Sequence, residues 1–310
     1  MADGSRFSFS YCSEDSYGVI ADSPEFQTIN TAGVSIKPAK ETQTSNIIRS
    51  DRQIADLYYG TESLSGDIKL ELRSHELDDF FEYIFCGEWI KDTPEAGVNE
   101  LRVGQTKRSC TCVGHFSDMA EKPYHIYTGI AFNSLSFTIS PEAKIDATLN
   151  VIGQKVTLSQ ELPDNSKVKA PQNGKPLSLF RGYVRESGAD LGIVTEISLE
   201  ITNGLEARHH LMSKHTLQPS MQNSQVTGTV NVYFESPTYL EKFLNEQSSS
   251  LEFTITDSAD VEYTFVLPRI LYTGADLEVS GPGSILLPLP FQAVLDPTTN
   301  TNLILRKKGA

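Results

Sequence analysis

Apolar and polar residues alternate with period two over 33–37, 64–73, 131–139, 145–152, 196–202, 226–235, 251–256 and 263–267. That period sets one face of a strand on a core and the other in water. The β-branched and aromatic content of these stretches agrees. Only two segments carry the helical stripe of apolar residues at i, i+3 and i+4: Leu77, Phe80 and Phe81, then Leu240, Phe243 and Leu244. Ser74 and Ser236 precede them as expected N-caps, with Pro237 at the first helical position of the second. The pattern predicts a mainly β protein of two tandem sandwich or barrel domains. Each has one flanking α-helix and a long inter-strand loop.

The two sets of elements match in order. Ser65 to Ser74 and Thr227 to Ser236 align with Gly66 on Gly228, 162 positions apart, and Ile68, Leu70 and Leu72 fall on Val230, Val232 and Phe234. Val34-Ser-Ile-Lys37 matches Ile197-Ser-Leu-Glu200, and Tyr127-Thr-Gly129 matches Tyr272-Thr-Gly274. A tandem duplication follows, with an N-terminal arm at 1–31, a first domain at 32–154, a linker at 155–177 and a second domain at 178–310. The linker carries Pro163, Pro171, Asn173, Gly174 and Pro176, a loop composition. Each copy also holds a long insertion, at 38–63 and at 202–225. Loops of that length in a compact domain are commonly functional. Ile47, Ile48, Ile54, Leu57, Tyr58 and Tyr59 are too apolar for a solvated loop and call for a partner surface.

Charge narrows the function. The 310 residues carry a formal net charge of −14, which opposes tight non-specific DNA binding because that affinity comes from Lys and Arg on phosphates. No apolar run is long enough to span a bilayer. The N-terminus lacks a basic and then apolar leader, so synthesis in the cytoplasm is expected. Catalytic, cofactor and metal sites are not predicted. Glu76, Asp78, Asp79 and Glu82 read as the solvated first turn of a helix, where carboxylates complement the dipole. Cys110 and Cys112 share a strand face without a second ligand pair, and His209, His210 and His215 have unsuitable spacing for a metal. Trp89 reads as a core plug, and Arg306-Lys307-Lys308 as a solvated tail.

The run 41–89, with Ile48-Arg-Ser-Asp-Arg-Gln-Ile54, Gly60, Ser65-Gly66-Asp67 and the Asp79-Phe80-Phe81 helix ending at Trp89, resembles the major tail tube proteins of long-tailed, non-contractile bacteriophages. Arg108-Ser109, Asn133-Ser-Leu-Ser136, 201–207, 226–229 and Leu267-Pro-Arg269 extend the resemblance over 17–305. It implies tail-tube-type domains in a structural, non-enzymatic protein. Single-domain relatives form six-fold rings that stack into a hollow tube for DNA, so a duplicated chain would close the ring with three copies. Implied partners are further copies, tape measure, terminator and tail-tip proteins, and passing DNA without specific binding, with no membrane. The implied location is the virion tail, after synthesis in the bacterial host cytoplasm.

The resemblance also implies inter-ring contacts from the two insertions: Ile47, Ile48, Arg49, Asp51, Arg52, Ile54, Leu57, Tyr58 and Tyr59, and Leu205, Glu206, Arg208, His209 and His210. The polar face of the repeated strand, Asp67, Lys69, Glu71 and Arg73 with Thr229, Asn231, Tyr233 and Glu235, is the expected lumen lining. A negative or neutral lining repels phosphate at short range. The rival class is a β-sandwich carbohydrate-binding or adhesion module of a tail tip or cell surface, which requires exposed aromatics clustered on one face. A glycoside hydrolase ranks third, for want of a nominated carboxylate pair.

Overall fold

The computed structural model describes residues 3–141, 144–180, 182–191, 193–275, 277–279 and 281–309. The chain is mainly β, as its alternation predicts. After a 3₁₀ turn at Gly4–Arg6, the first half holds β1 (Phe7–Ser13), β2 (Glu25–Ile29), β3 (Thr31–Val34), β4 (Lys37–Thr44), β5 (Leu57–Glu71), α1 (Asp78–Phe85) and β6 (Val98–Arg102). It continues with β7 (Cys110–Phe116), β8 (Tyr124–Ile139), β9 (Asp146–Gly153) and β10 (Lys155–Ser159). Then β11 (Lys167–Lys169) leads to β12 (Val184–Glu186), β13 (Ala189–Asp190), β14 (Val194–Thr202), β15 (Glu206–Arg208), β16 (Leu217–Ser220) and β17 (Gln225–Tyr233). The second half ends with α2 (Thr238–Leu244), β18 (Ser249–Thr256), β19 (Glu262–Tyr272), β20 (Leu286–Ala293) and β21 (Ile304–Lys308).

A central sheet runs β3–β5–β9–β8–β14–β17–β20–β19 and passes from one half to the other at the antiparallel β8–β14 ladder. There Leu135 faces Ile201 and Ile139 faces Ile197. The start of β8 instead pairs with β7 and β10, in an outer sheet that also holds β1, β2 and β11. One strand thus serves both layers. The inward residues of the repeated strands, Ile68, Leu70 and Leu72 with Val230 and Val232, are buried in the core.

The ladders of the two halves correspond pair by pair. Thr31 faces Leu70 and Val34 faces Ile68; Val194 faces Val232 and Ile197 faces Val230. An irregularity falls at Thr31/Gly33 in one ladder and at Val194/Glu196 in the other. The β7–β8 and β18–β19 hairpins likewise share a shift, at Cys110/Cys112 and at Ser249/Leu251. Gly66 and Gly228 have the same cause: a Cβ would lie 2.3 Å from the Ser35 carbonyl oxygen at one and 2.2 Å from that of Ser198 at the other. Each serine hydroxyl then accepts the N–H of the residue after the glycine, Asp67 (3.2 Å) or Thr229 (3.1 Å). Close approach of two backbones fixes glycine at both places.

Several local expectations change. Tyr127-Thr-Gly129 and Tyr272-Thr-Gly274 do not occupy corresponding positions: the ladders put Tyr127 opposite Cys112 and Leu267 opposite Leu251, and Phe132 opposite Val151 and Tyr272 opposite Phe291. Tyr127 therefore corresponds to Leu267, and Phe132 to Tyr272. Of the two serines only Ser236 caps as expected. Leu77 precedes α1 without a side-chain cap, while the Ser74 hydroxyl accepts the Lys175 N–H. The Ser236 hydroxyl accepts the Thr238 N–H (3.3 Å), with Pro237 between them in helical conformation. The stretch 1–31 contributes β1 and β2 to the outer sheet, and 155–177 contributes β10 and β11.

The basic run 306–308 is no tail. It forms β21 between β19 and β6, with Arg306 2.9 Å from Glu100 and Lys307 2.5 Å from Asp78. The acidic cluster is a solvated helix face only in part: Asp78 and Asp79 open α1 and Asp79 is exposed, but Asp78 and Glu82 are half-buried. Glu76 is buried beside Asn30 and Arg73, and Asp79 accepts from the Tyr11 hydroxyl. Burial raises the Glu76 carboxyl above its ordinary range. Trp89 is half-buried against the core and donates its ring N–H to the Asp78 carbonyl. Tyr11 for Asp79, Glu100 for Arg306 and Asp78 for Lys307 come from far along the chain, which local pattern does not register.

Candidate assembly surfaces

The registers fix what lies at each end of the central sheet. Gly153, Thr202, Gln225 and Ala293 share one end; Glu71, Asp146, Ile139, Val194 and Tyr233 share the other. Both insertions leave from the first end. β4 and β5 form a long hairpin, and β15 and β16 a shorter one beside it. The two touch: the Glu62 N–H donates to the Lys214 carbonyl, and its carboxylate lies 3.6 Å from His215 and 2.8 Å from Lys40. The Lys40 ammonium holds the Glu62 carboxyl below its ordinary range.

The tips are apolar and uncovered. Ile48 is 99% exposed, and Ile47, Ile54, Leu57, Tyr58 and Tyr59 are also exposed. Arg49 and Asp51 pair at 2.6 Å on the same tip, and Arg52 lies beside them at positive φ. In the second hairpin His209, His210 and Glu206 are exposed, but Arg208 is occupied by the Gln218 carbonyl across the hairpin. Leu205 lies at the base, its N–H bound to the Asn133 side chain. The true apolar tip here is Leu211 with Met212, the latter 92% exposed. Sequence reasoning missed this pair, although two apolar residues after His209-His210 in a polar insertion parallel Ile47-Ile48.

The opposite end carries an apolar cleft where the halves join, lined by Ile139, Pro141, Ile145, Leu179, Phe180 and Val194. Phe180 is 81% exposed at its rim. Among the described residues the exposed aromatics divide between the two ends: Tyr58 and Tyr59 on a hairpin, and Tyr233 with Phe180 at the other end.

Asp67, Lys69 and Glu71 do share the wet face of β5, and Thr229 and Asn231 that of β17. Asp67 accepts from Asn150 (2.8 Å), and Asn231 donates to Glu196 (3.2 Å). Lys144 at 2.5 Å holds the Glu71 carboxyl below its ordinary range. Arg73 is drawn aside by Glu71, Glu76 and the Gly174 carbonyl. Tyr233 ends β17, and Glu235 lies exposed beyond it. The same face gains Asp146, Glu196 and Glu200, around a floor of Ser136, Ser198 and Thr227. It is thus carboxylate-rich, a field that repels phosphate.

Two lateral edges stay open. Among the described residues β3 pairs on one side only, with β5. At the other edge, the Thr273 N–H still bonds to the Pro290 carbonyl, but Leu277 and Val279 are exposed and outside any ladder. Cys110 and Cys112 are buried within the sandwich with sulfurs 3.5 Å apart, and burial pushes the Cys110 thiol up. Among the described residues no group of three or more His, Cys, Asp or Glu could hold a metal ion, and no helix is long and apolar enough to cross a membrane. A family model described as "Phage tail tube protein" matches residues 4–293. No curated protein matches the chain.

Proposed function

Because the chain belongs to the phage tail tube protein family, a structural family of the virion tail, we propose that three copies close into a ring of pseudo-six-fold symmetry and that rings stack into a conduit for DNA. The chain then holds two tube domains of common origin, at 32–154 and 178–310. The observation that carries this reading is the β8–β14 ladder. It joins two halves of matching register, and the free edges are the counterparts of its two strands.

The arithmetic of the edge is specific. The ladders match as far as Phe132 and Tyr272; carried on by the same count past the Phe132/Ser134 irregularity, Ala275, Leu277 and Val279 take the places of Leu135, Phe137 and Ile139. Ladder correspondence puts Val34 in the place of Ile197. Ring closure therefore pairs Val34 of one copy with Val279 of the next, in the register of Ile197 on Ile139. Closure removes both open edges, which otherwise invite uncontrolled pairing. The carboxylate-rich face lines the lumen, so DNA passes without specific binding. Hairpin tips at one end and the Phe180 cleft at the other give stacking a donor and an acceptor. Tape measure, terminator and tail-tip proteins are the remaining partners.

Negative-stain electron microscopy with a solution mass tests the ring. Rings of three 34.2 kDa chains with six-fold outline are expected, and rings of six full chains overturn the reading. For stacking, Phe180→Asp is expected to leave rings intact while abolishing tubes; tubes of normal length would exclude the cleft as the acceptor.

A further inference from the structure

α1 and α2 are seated at corresponding positions of their own halves, α1 more deeply, and they differ most on the side turned outward. Counting back from the matched stripes, Asp79 corresponds to Lys242, Phe80 to Phe243 and Phe81 to Leu244. Asp79 is held by Tyr11 of β1 (2.8 Å), and Lys242 by Glu186 of β12 (2.6 Å). Tyr11 faces Cys112, and Glu186 faces Leu251, which are corresponding ladder positions. The seats correspond, with a hydroxyl–carboxylate pair in one and an ion pair in the other.

The outer sides part company. Phe81 is 2% exposed, its ring 5.9 Å from Tyr263 and 6.1 Å from Phe265 in the other half. Asp78 beside it takes Lys307 and the Tyr263 hydroxyl. Leu244, in the place of Phe81, is 68% exposed, and no residue of α2 is buried. An exposed leucine where its twin is core is a surface awaiting cover.

The ladders also name the cover. Phe265 pairs with Leu305, and its first-half counterpart His125 pairs with Leu158. Tyr263 corresponds to Pro123, and Lys307 to Gln160 by the same count. Leu305 is fully buried, whereas Leu158 is exposed and, among the described residues, β10 pairs only with β8. Leu244 and Leu158 are thus both exposed, while His125 is half-buried with its ring 4.7 Å from that of Phe116.

We infer that α2 of each copy docks on the outer sheet of the next copy, seating Leu244 over His125 and Leu158 as Phe81 seats on Phe265 within the chain. The inference rests on the ring proposed above. Its partner is a second copy of this chain, because the template contact is internal to the chain. Glu241 then approaches Gln160 where Asp78 has Lys307, so the docking lacks the ion pair of its template and depends on apolar contact.

A cross-link tests it. In a Cys12→Ser background, which removes the one half-exposed thiol, the full chain carries Leu244→Cys and His125→Cys and is treated with a short bismaleimide. A ladder of linked chains that stops at three is the expected result. Three-chain rings in the microscope without cross-linking overturn the docking and leave the ring standing; absence of both removes the two together. As a second measurement, Leu244→Asp is expected to raise the concentration needed for ring formation at least about tenfold, since each factor of ten reports about 1.4 kcal/mol of contact. The unfolding temperature of the isolated chain should not change, because Leu244 is exposed there. An unchanged ring concentration overturns the docking.

Discussion

The junction inside the chain and the two open edges are made of corresponding elements, yet one is core and the other is surface. At the junction α1 is roofed by β19 and β21, and β6 adds a ladder to β21 with Leu101 facing Leu305. At the free side α2 has no roof, and the four residues from α2 to β18 leave no room for a strand like β6. Burial is thus decided by the strands downstream of each helix, more than by the helix's own pattern. An amphipathic stripe says that a face will be covered, without saying by which molecule.

The sharpest break of this comparison is Phe81→Ala against Leu244→Ala. The first empties a buried site between aromatic rings and is expected to cost about 3–5 kcal/mol. The second changes an exposed site and should stay within about 0.5 kcal/mol. Urea unfolding of the isolated chain measures both, and equal effects would mean that the two helices are not differently roofed. Next is Lys307→Met, which strips the Asp78 carboxylate of its ammonium but leaves it the Tyr263 hydroxyl. A loss of about 1–3 kcal/mol is expected, the cost of a part-buried polar group left short of a partner. A neutral result would remove the ion pair from the account of the junction.

A smaller effect concerns acid. Burial alone would raise the Glu100 carboxyl, but Arg306 and Arg102 outweigh it and hold it below its ordinary 4.5. A lowered folded pKa contributes stability above the ordinary value, lost as pH falls from 4.5 through the folded value. Glu100→Gln should therefore lower stability at neutral pH and flatten its decline below 4.5. Parallel acid limbs in variant and parent would show that Glu100 does not couple the halves to pH.

Much of this was legible in the sequence. The stretches 64–73 and 226–235 become β5 and β17 with the stripe on the predicted side, because period two is a local property that the sheet only has to accept. The first hairpin's apolar tip was visible for the same reason. The roof was not legible. Lys307 and Asp78 are 229 positions apart, and nothing near Arg306-Lys307-Lys308 signals carboxylates waiting for it. The Tyr-Thr-Gly triplets misled because three residues match by chance more easily than a bulged ladder does. On the wet face, Asp146, Glu196 and Glu200 were within reach of the alternation, had the polar phase of strands β9 and β14 been followed as closely as that of β5.

β6 exists in one half only. In a closed ring of three chains the seams would alternate, three reinforced by the β6–β21 ladder and three without it. Hoop tension, as from a filament forced through the bore, would then concentrate at the three plain seams. Such a tube would yield with three-fold rather than six-fold symmetry, splitting between chains while every chain stays folded.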